Sequence, residues 1–234
     1  MQDVKILHLS VDDTGLESYY RVLVDGKYFK YISIDSGVYD VEDLTFPQAL
    51  VPKLPQLPTG QWNLGHIAKD DDGISPHFAW TIQRTFSSIQ QTWHPFFVDY
   101  LSLTLGKMLL PNVYEATAPG FEDPVIVKFA RFPWEIDYYN QETQVYSWIK
   151  GHDIGPKFLG HVAEGERVIG FLLQKLHGRH ASYADLQLCQ TVLSNLHSLG
   201  IQHGDVNKHN FLDQSSRAYL IDFETAKRQT ISKH

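Results

Sequence analysis

The order of apolar and polar positions divides the 234-residue chain into a strand-rich first part and a mixed second part. Over residues 1–45 apolar and polar side chains alternate, and Asp25-Gly26 interrupts the alternation as a hairpin turn would. The alternation predicts a small antiparallel β unit. Four prolines predict an extended connector over residues 47–60, because proline disfavours helix interiors and central strands. The pattern over residues 61–95 predicts an irregular linker with aromatic anchors.

From residue 99 onward the apolar positions recur at strand and then at helix spacing. The segments YLSLTL, VYEAT and PVIVKFA predict three short strands, with turns at GKMLLPN and APGFED between them. A helix is predicted over residues 134–150, and two further strands in GPKFLGHV and RVIGFLLQKL. Apolar residues three and four apart predict a second helix over residues 182–199, with Ser182 and Asp185 as a capping box and Gly200 as its stop.

Composition and charge restrict the class of protein. The chain is 43% hydrophobic and carries a formal net charge of -7, which disfavours binding to nucleic acid or to anionic membranes. Cys189 is the single cysteine, so no intramolecular disulfide can form and a reducing compartment is expected. No segment approaches the ~18 apolar residues of a membrane span. We therefore expect a cytoplasmic protein that binds neither nucleic acid nor membranes.

Two segments carry the residues with the clearest chemistry. The first is HGDVNKHNF, His203 to Phe211, and the second is LIDFE, Leu220 to Glu224. They place Asp205 and Asn210 directly after the second predicted helix and Asp222 after a predicted strand pair. Magnesium prefers oxygen ligands such as these, and phosphoryl transfer needs metal ligands together with a carboxylate that orients the attacking hydroxyl. The spacing is that of a magnesium-dependent phosphoryl transfer site.

With these motifs the chain resembles the protein-kinase-like superfamily, with HGD in place of HRD and DFE in place of DFG. HGD is the form found in small atypical kinases such as RIO and aminoglycoside-kinase-like proteins. The chain is also similar to small fungal kinase-like proteins of unassigned function, some of which carry an alpha-galactosidase A label. Glycosidases usually use two carboxylates across a sugar on a large barrel, and neither the strand order nor the N-terminus of this chain fits that arrangement.

The resemblance implies an α+β fold with the two lobes of a protein kinase. Twelve residues follow Asp222, so the expected C-lobe is truncated and lacks the helices that bind peptide substrates. The expected domains are an N-terminal antiparallel β extension over residues 1–95, an N-lobe over 96–176 and a minimal C-lobe over 177–234. A homodimer is one way to cover the shortened lobe.

The resemblance also assigns roles to residues upstream of the two motifs. Lys128, at the end of VIVKF, would hold the donor phosphates, paired with Glu142 on the following helix. Glu135 lies seven residues before Glu142, on nearly the same helix face, and is the competing partner for the lysine. Asp205 would orient the acceptor hydroxyl, while Asn210 and Asp222 would hold Mg²⁺.

The expected nucleotide contacts are less regular than those of ordinary kinases. The segment LGKMLLPNVYEA keeps Gly106 of the phosphate-covering loop but has Met108 and Pro111 where the superfamily has glycines. The adenine would pair with backbone groups of the hinge, from Gln174 to Leu176. Lys208 is either a ligand of the transferring phosphate or a solvent-facing residue.

Together these expectations describe a kinase-like transferase that uses ATP and Mg²⁺. The acceptor would be a small molecule or a specific docked protein rather than a generic peptide. The altered phosphate loop supports an alternative, a pseudokinase-like nucleotide-binding or scaffold protein without phosphotransfer activity. A third possibility is the transfer of another part of the nucleotide, such as AMP.

Overall fold

The computed structural model describes residues 2–11, 16–214 and 216–229. The chain forms two compact units, residues 1–86 and residues 87–234. Both contain β-sheets with few helices, so the predicted α+β class is confirmed. The two-lobe arrangement, the truncated C-lobe and the domain limits at residues 95 and 176 stay predictions.

The first unit is built on one five-stranded sheet in which the strands follow their order in the chain. Its strands are β1 (Val4–Ser10), β2 (Ser18–Val24), β3 (Tyr28–Ile34), β4 (Leu64–Lys69) and β5 (Pro76–Ile82). The pair β3 and β4 is parallel, and the other pairs are antiparallel. The predicted antiparallel unit is therefore confirmed for β1 to β3. Asp25 and Gly26 have φ values of 53° and 65°, as a tight hairpin turn requires.

The predicted connector and linker after β3 are wrong in part: residues 54–63 and 83–95 contain no helix or strand, but both segments also contain regular structure. Two short helices, α1 (Val41–Thr45) and α2 (Pro47–Leu50), lead into a 3-10 helix at Val51–Lys53. Pro47 is the first residue of α2, where the missing N–H is not needed and the fixed φ favours a helix. The region read as an irregular linker supplies β4 and β5, which complete the sheet through pairing with β3. That pairing is a tertiary contact, and local sequence pattern does not report it.

The second unit contains a six-stranded sheet in the order β6-β10-β11-β9-β8-β7. Its strands are β6 (Phe97–Asp99), β7 (Thr104–Leu110), β8 (Val113–Thr117), β9 (Val125–Phe129), β10 (Phe158–Glu164) and β11 (Arg167–Gln174). Strands β6 and β10 are parallel, and the remaining pairs are antiparallel. The turn predicted over GKMLLPN is mostly strand, since β7 continues to Leu110 and the chain reverses only at Pro111 and Asn112.

The two longer helices follow the predictions closely. Helix α3 (Ile136–Trp148) follows a 3-10 turn at Pro133–Glu135, and helix α4 (Leu186–Ser198) follows one at Tyr183–Asp185. The predicted capping box is present, because the backbone N–H and hydroxyl of Ser182 both donate to Asp185 Oδ2 at 2.7 Å. Among the described residues, no helix is long and apolar enough to cross a membrane.

Short strands after α3 and around α4 complete the second unit. They are β12 (Arg179–His180), β13 (Ile201–Gln202), β14 (Phe211–Gln214), β15 (Arg217–Leu220) and β16 (Lys227–Arg228). Strands β12, β14 and β15 form one sheet, and β13 and β16 form another. The loop over residues 203–207 and the 3-10 helix Lys208–Asn210 connect β13 to β14, and residues 221–226 connect β15 to β16. Residues 203–210 of the first chemical segment and 221–224 of the second thus lie in connections between short strands.

Candidate active site

Lys128 is held by a strand in the interior of the six-stranded sheet. Strand β9 pairs with β8 on one side and β11 on the other, with Lys128 opposite Val113 and Phe171. The neighbouring Val127 and Phe129 are fully buried. The side chain of Lys128 is only 9% exposed. A cation at this depth needs anionic partners, since a buried unpaired charge is strongly unfavourable.

Three carboxylates surround the Lys128 ammonium. Its Nζ lies 2.6 Å from Glu142 Oε2, 3.1 Å from Asp222 Oδ1 and 3.7 Å from Glu224 Oε1. Glu142 comes from α3 and is fully buried, while Asp222 is 43% exposed. Glu135 pairs instead with Arg131, whose Nη2 is 2.6 Å from Glu135 Oε1. The structure therefore pairs the lysine with Glu142, the first of the two partners considered from sequence.

The ionisation of this cluster follows from burial and from its unequal charges. Burial alone would lower the pKa of Lys128, but the carboxylates of Glu142, Asp222 and Glu224 outweigh it and hold that pKa above its usual value. Burial raises the pKa of Glu142 to about 7, although the attraction of Lys128 opposes the shift. Burial also raises the pKa of Glu224, again against the effect of Lys128. One ammonium thus faces three acidic groups, which leaves the cluster with excess negative charge.

The segment that carries Asp205 is tied to the segment that carries Asp222. His203 is buried, and its Nε2 lies 3.0 Å from the carbonyl oxygen of Ile221. The N–H of Ile221 donates to the carbonyl of Asn210, and the hydroxyl of Thr225 donates to the carbonyl of His203, both at 3.0 Å. These bonds join His203, at the start of the first segment, to Ile221 and Thr225, and they join Asn210, near its end, to Ile221. They place Asn210 beside the residue that precedes Asp222.

Gly204 is required by this close approach. It has a φ of +86°, in the left-handed region that L side chains rarely adopt. A Cβ at this position would also lie 2.5 Å from the carbonyl oxygen of Thr225. The glycine of HGD therefore allows the two segments to contact each other through their backbones.

Asp205 lies in the exposed part of the loop and is oriented by two carboxamides. Asn207 Nδ2 lies 3.0 and 3.1 Å from the two carboxylate oxygens of Asp205, and Asn210 Nδ2 donates to Oδ2 at 3.0 Å. Asn207 is itself fixed, because its Oδ1 accepts the N–H of His209 at 2.8 Å and caps the 3-10 helix. Asn210 is nearly buried and directs its amide nitrogen at Asp205, so its carbonyl oxygen remains as the ligand atom.

Asp222 reaches Lys128 from an unusual backbone conformation. Its φ is 65°, which is rare for residues other than glycine, although aspartate tolerates it better than most. The next residue, Phe223, is fully buried, and its N–H lies 3.4 Å from Glu142 Oε1. Glu142 therefore contacts both Lys128 and the backbone that follows Asp222. Such outliers cluster at functional sites, where surrounding contacts hold them.

The donor atoms of the cluster fit a hard divalent cation. Oxygen atoms of Glu142, Asp222 and Glu224 all lie within 4.8 Å of one another. Mg²⁺ prefers carboxylate and carbonyl oxygens, and two positive charges would offset the excess negative charge of the cluster. Glu224 was not among the residues selected from sequence. The available signal was its position two residues after Asp222 in LIDFE, on the same turn of the chain.

The residues expected to contact the nucleotide lie in several separate elements. Gly106 is exposed on β7, where Met108 is 58% exposed. Gln174 ends β11, Leu176 follows it half-buried, and Lys208 is exposed in the 3-10 helix. In the part of the chain that the structure describes, no hydrogen bond or ion pair joins these residues to Lys128. Their roles stay predictions.

Comparison with known proteins supports the kinase-like interpretation. Residues 173–234 match the lipopolysaccharide kinase (Kdo/WaaP) family, which belongs to the protein-kinase-like superfamily. The match includes both the HGD segment and the LIDFE segment, and the resemblance of these residues to the superfamily is confirmed. No curated protein matches the chain significantly. A kinase-type phosphotransferase is the activity that this family match supports.

Proposed function

We propose that the chain transfers the γ-phosphoryl group of ATP, bound with Mg²⁺, to a hydroxyl group of a small molecule or of a specific docked protein. The observation that carries the proposal is the contact of Lys128 with Glu142 at 2.6 Å and with Asp222 at 3.1 Å. These three residues come from a strand, the helix that follows it and a loop 94 residues after Lys128. Their convergence on one buried ammonium supports a site built to hold phosphate oxygens.

Each residue of the site has a separate task in the proposed reaction. Lys128 binds oxygens of the donor phosphates, and Glu142 keeps the ammonium charged and directed toward them. Asn210 and Asp222 would hold Mg²⁺ through their side-chain oxygens, and Glu224 supplies a further carboxylate within 4.8 Å of that of Asp222. When bound, the metal offsets the negative charge on the phosphates.

Asp205 is the residue proposed to orient the acceptor. Its carboxylate accepts hydrogen bonds from Asn207 and Asn210 and remains exposed to an incoming hydroxyl. As the acceptor oxygen bonds to the γ-phosphorus, the bond to the bridging oxygen breaks, ADP leaves and the hydroxyl proton passes to Asp205. The carboxamides hold the carboxylate in one orientation, which the geometry of an in-line transfer requires.

The test uses ATP labelled at either the γ or the α phosphate, with Mg²⁺ and the purified full-length chain. We expect release or transfer of the γ label, reduced by roughly 10²-fold or more in Asp205→Asn and in Asp222→Asn. Asp137→Asn is the matched control, since Asp137 is exposed on α3 and the chemical change is the same. This control should keep its turnover within about twofold.

The other outcomes assign the chain to different classes. Saturable ATP binding without loss of either label, in the wild type, would support the pseudokinase-like alternative and contradict phosphotransfer. Transfer of the α label would indicate movement of AMP. The binding-only alternative is tested because β7 carries the exposed side chains of Met108 and Leu110 in place of a glycine-rich loop.

A further inference from the structure

A cavity of about 310 Å³ lies at the C-terminal end of α3. This volume falls at the lower end of the range of small-molecule pockets, which is roughly 300–1,000 Å³. The cavity belongs wholly to the second unit and is separate from the residues that contact Lys128. Side chains that matter for its chemistry are those of Trp93, His94, Tyr146, Lys150, Lys157 and Phe158.

The charged groups of the cavity are predominantly cationic. Lys150 and Lys157 both line it, and Lys150 Nζ lies 5.4 Å from the centre of the Trp93 ring. The acidic residue of the lining is Asp153, which is paired with Arg217 at 3.0 Å. Asp153, which lies between the two lysines in sequence, therefore does not pair with either of them. This arrangement favours an anionic ligand.

The remaining walls are aromatic and held in place. The rings of Trp93 and Phe158 are 4.7 Å apart, and those of Tyr146 and Phe158 are 5.8 Å apart. The Trp93 Nε1–H donates to the carbonyl of Thr143 at 2.9 Å, which fixes the indole against α3. A rigid aromatic wall binds a planar apolar group with little ordering cost.

Tyr146 is the most deeply buried of the three aromatic residues that line the cavity. Its hydroxyl has no hydrogen-bond partner among the residues that the structure describes, and that oxygen has almost no accessible surface. A ligand in the cavity would therefore contact the ring of Tyr146 and not its hydroxyl.

From the cationic groups and the aromatic walls, we propose that this cavity binds a small organic anion that carries an aromatic ring, such as an aromatic phosphate or carboxylate. The ring packs against Trp93 and Phe158. The anionic group lies between Lys150 and Lys157.

The cavity adjoins the two elements that form the Lys128 centre. Tyr146 follows Glu142 by one turn of α3, and its ring lies 5.4 Å from that of Phe223, next to Asp222. Between the lining residues Asp153 and Gly155, the carbonyl of Ile154 accepts the N–H of Leu220 at 2.8 Å. A bound ligand therefore contacts the helix that carries Glu142 and a loop that is hydrogen-bonded to the strand leading to Asp222. Binding itself does not depend on the proposed phosphotransfer activity.

The test measures binding of phenyl phosphate to the full-length chain by isothermal titration calorimetry. We expect saturable binding with a dissociation constant on the order of 1 mM or below, the affinity that a ligand of this size reaches at modest efficiency. Phenol lacks the phosphate group and inorganic phosphate lacks the aromatic ring, so each should bind at least about fivefold more weakly than phenyl phosphate. Lys150→Ala and Lys157→Ala should each weaken binding by about fivefold or more.

Lys69→Ala is the matched control, because Lys69 is exposed in the first unit, and it should bind phenyl phosphate as the wild type does. Equal affinity of the wild type and both cavity lysine variants would overturn the proposal. Absence of saturable binding up to about 10 mM phenyl phosphate would also overturn it.

Discussion

The buried ion pair between Lys128 and Glu142 should respond unequally to the loss of each partner. Coulomb attraction falls with distance, so contacts at 2.6, 3.1 and 3.7 Å mean that Glu142 supplies about two-fifths of the attraction on Lys128. In Glu142→Gln, Asp222 and Glu224 keep about three-fifths of that attraction. In Lys128→Met, the fully buried carboxylate loses its cation and keeps two acidic neighbours.

We therefore expect Lys128→Met to destabilise the region around α3 by about 3–5 kcal/mol, the usual cost of breaking a buried pair from one side. Glu142→Gln should cost about 1–2 kcal/mol, because it removes a hydrogen bond but leaves the ammonium paired. Replacing both residues should cost less than Lys128→Met alone, since no charge is then left buried without a partner.

Native-state hydrogen exchange of peptides from α3 measures this difference without assuming that the two units unfold together. The measurement is made without Mg²⁺ or nucleotide, and Glu122→Gln serves as an exposed control that should stay within about 0.5 kcal/mol of the wild type. An equal or larger loss of protection in Glu142→Gln than in Lys128→Met would refute the electrostatic reasoning.

Three further predictions concern backbone, pH and orientation. Gly204→Ala should lower stability by at least about 2 kcal/mol more than Gly200→Ala in thermal or urea unfolding. Both glycines have positive φ, but only at position 204 would a Cβ lie against a backbone carbonyl. Equal losses of stability in the two variants would contradict this reasoning. Burial lowers the pKa of His161 to about 4. The unfolded chain therefore binds a proton at this histidine before the folded protein does, and stability falls by up to about 3 kcal/mol as the pH falls from about 6.5 toward 4. His161→Asn should flatten that pH dependence of stability, and an unchanged slope would argue against a buried neutral His161. Asn207→Ala should lower kcat of the proposed reaction about tenfold with KM for ATP within about twofold, since it removes the Asn207 hydrogen bonds to Asp205 together with the cap on His209 and no residue proposed to bind ATP. A change confined to KM would exclude an orienting role.

Periodicity predicted the elements whose stability is mostly local. Helix α4 has its apolar residues at helical spacing and its capping box within the same segment, so sequence alone located both the helix and its start. The strands β8 and β9 were also found, because their alternation and the flanking turns lie within a few residues. Strands β4 and β5 were missed, since β4 gains its place by pairing in parallel with β3 across an intervening pair of short helices.

The candidate active site, like the fold, could be predicted from the sequence only in part. The types and order of five residues were readable from sequence, because the resemblance to the protein-kinase-like superfamily indicates which elements carry them: Lys128, Glu142, Asp205, Asn210 and Asp222. Their distances were not readable. In the structure Glu135 ends the 3-10 turn before α3 and pairs with Arg131, and only the folded chain brings Glu142 to 2.6 Å from Lys128.

By itself the sequence determined the chemistry available to this protein: oxygen ligands, one lysine at the end of an apolar strand and the HGD segment. That two backbones meet at Gly204 is known only from the structure. The tertiary structure decided which charged side chains lie close to one another. It added Glu224 to the Lys128 cluster and placed Asn207 on the carboxylate of Asp205. It also set Tyr146 between that cluster and the cationic cavity. Electrostatic interactions depend on distance and burial, and both are fixed only when strands and helices from distant parts of the chain come together.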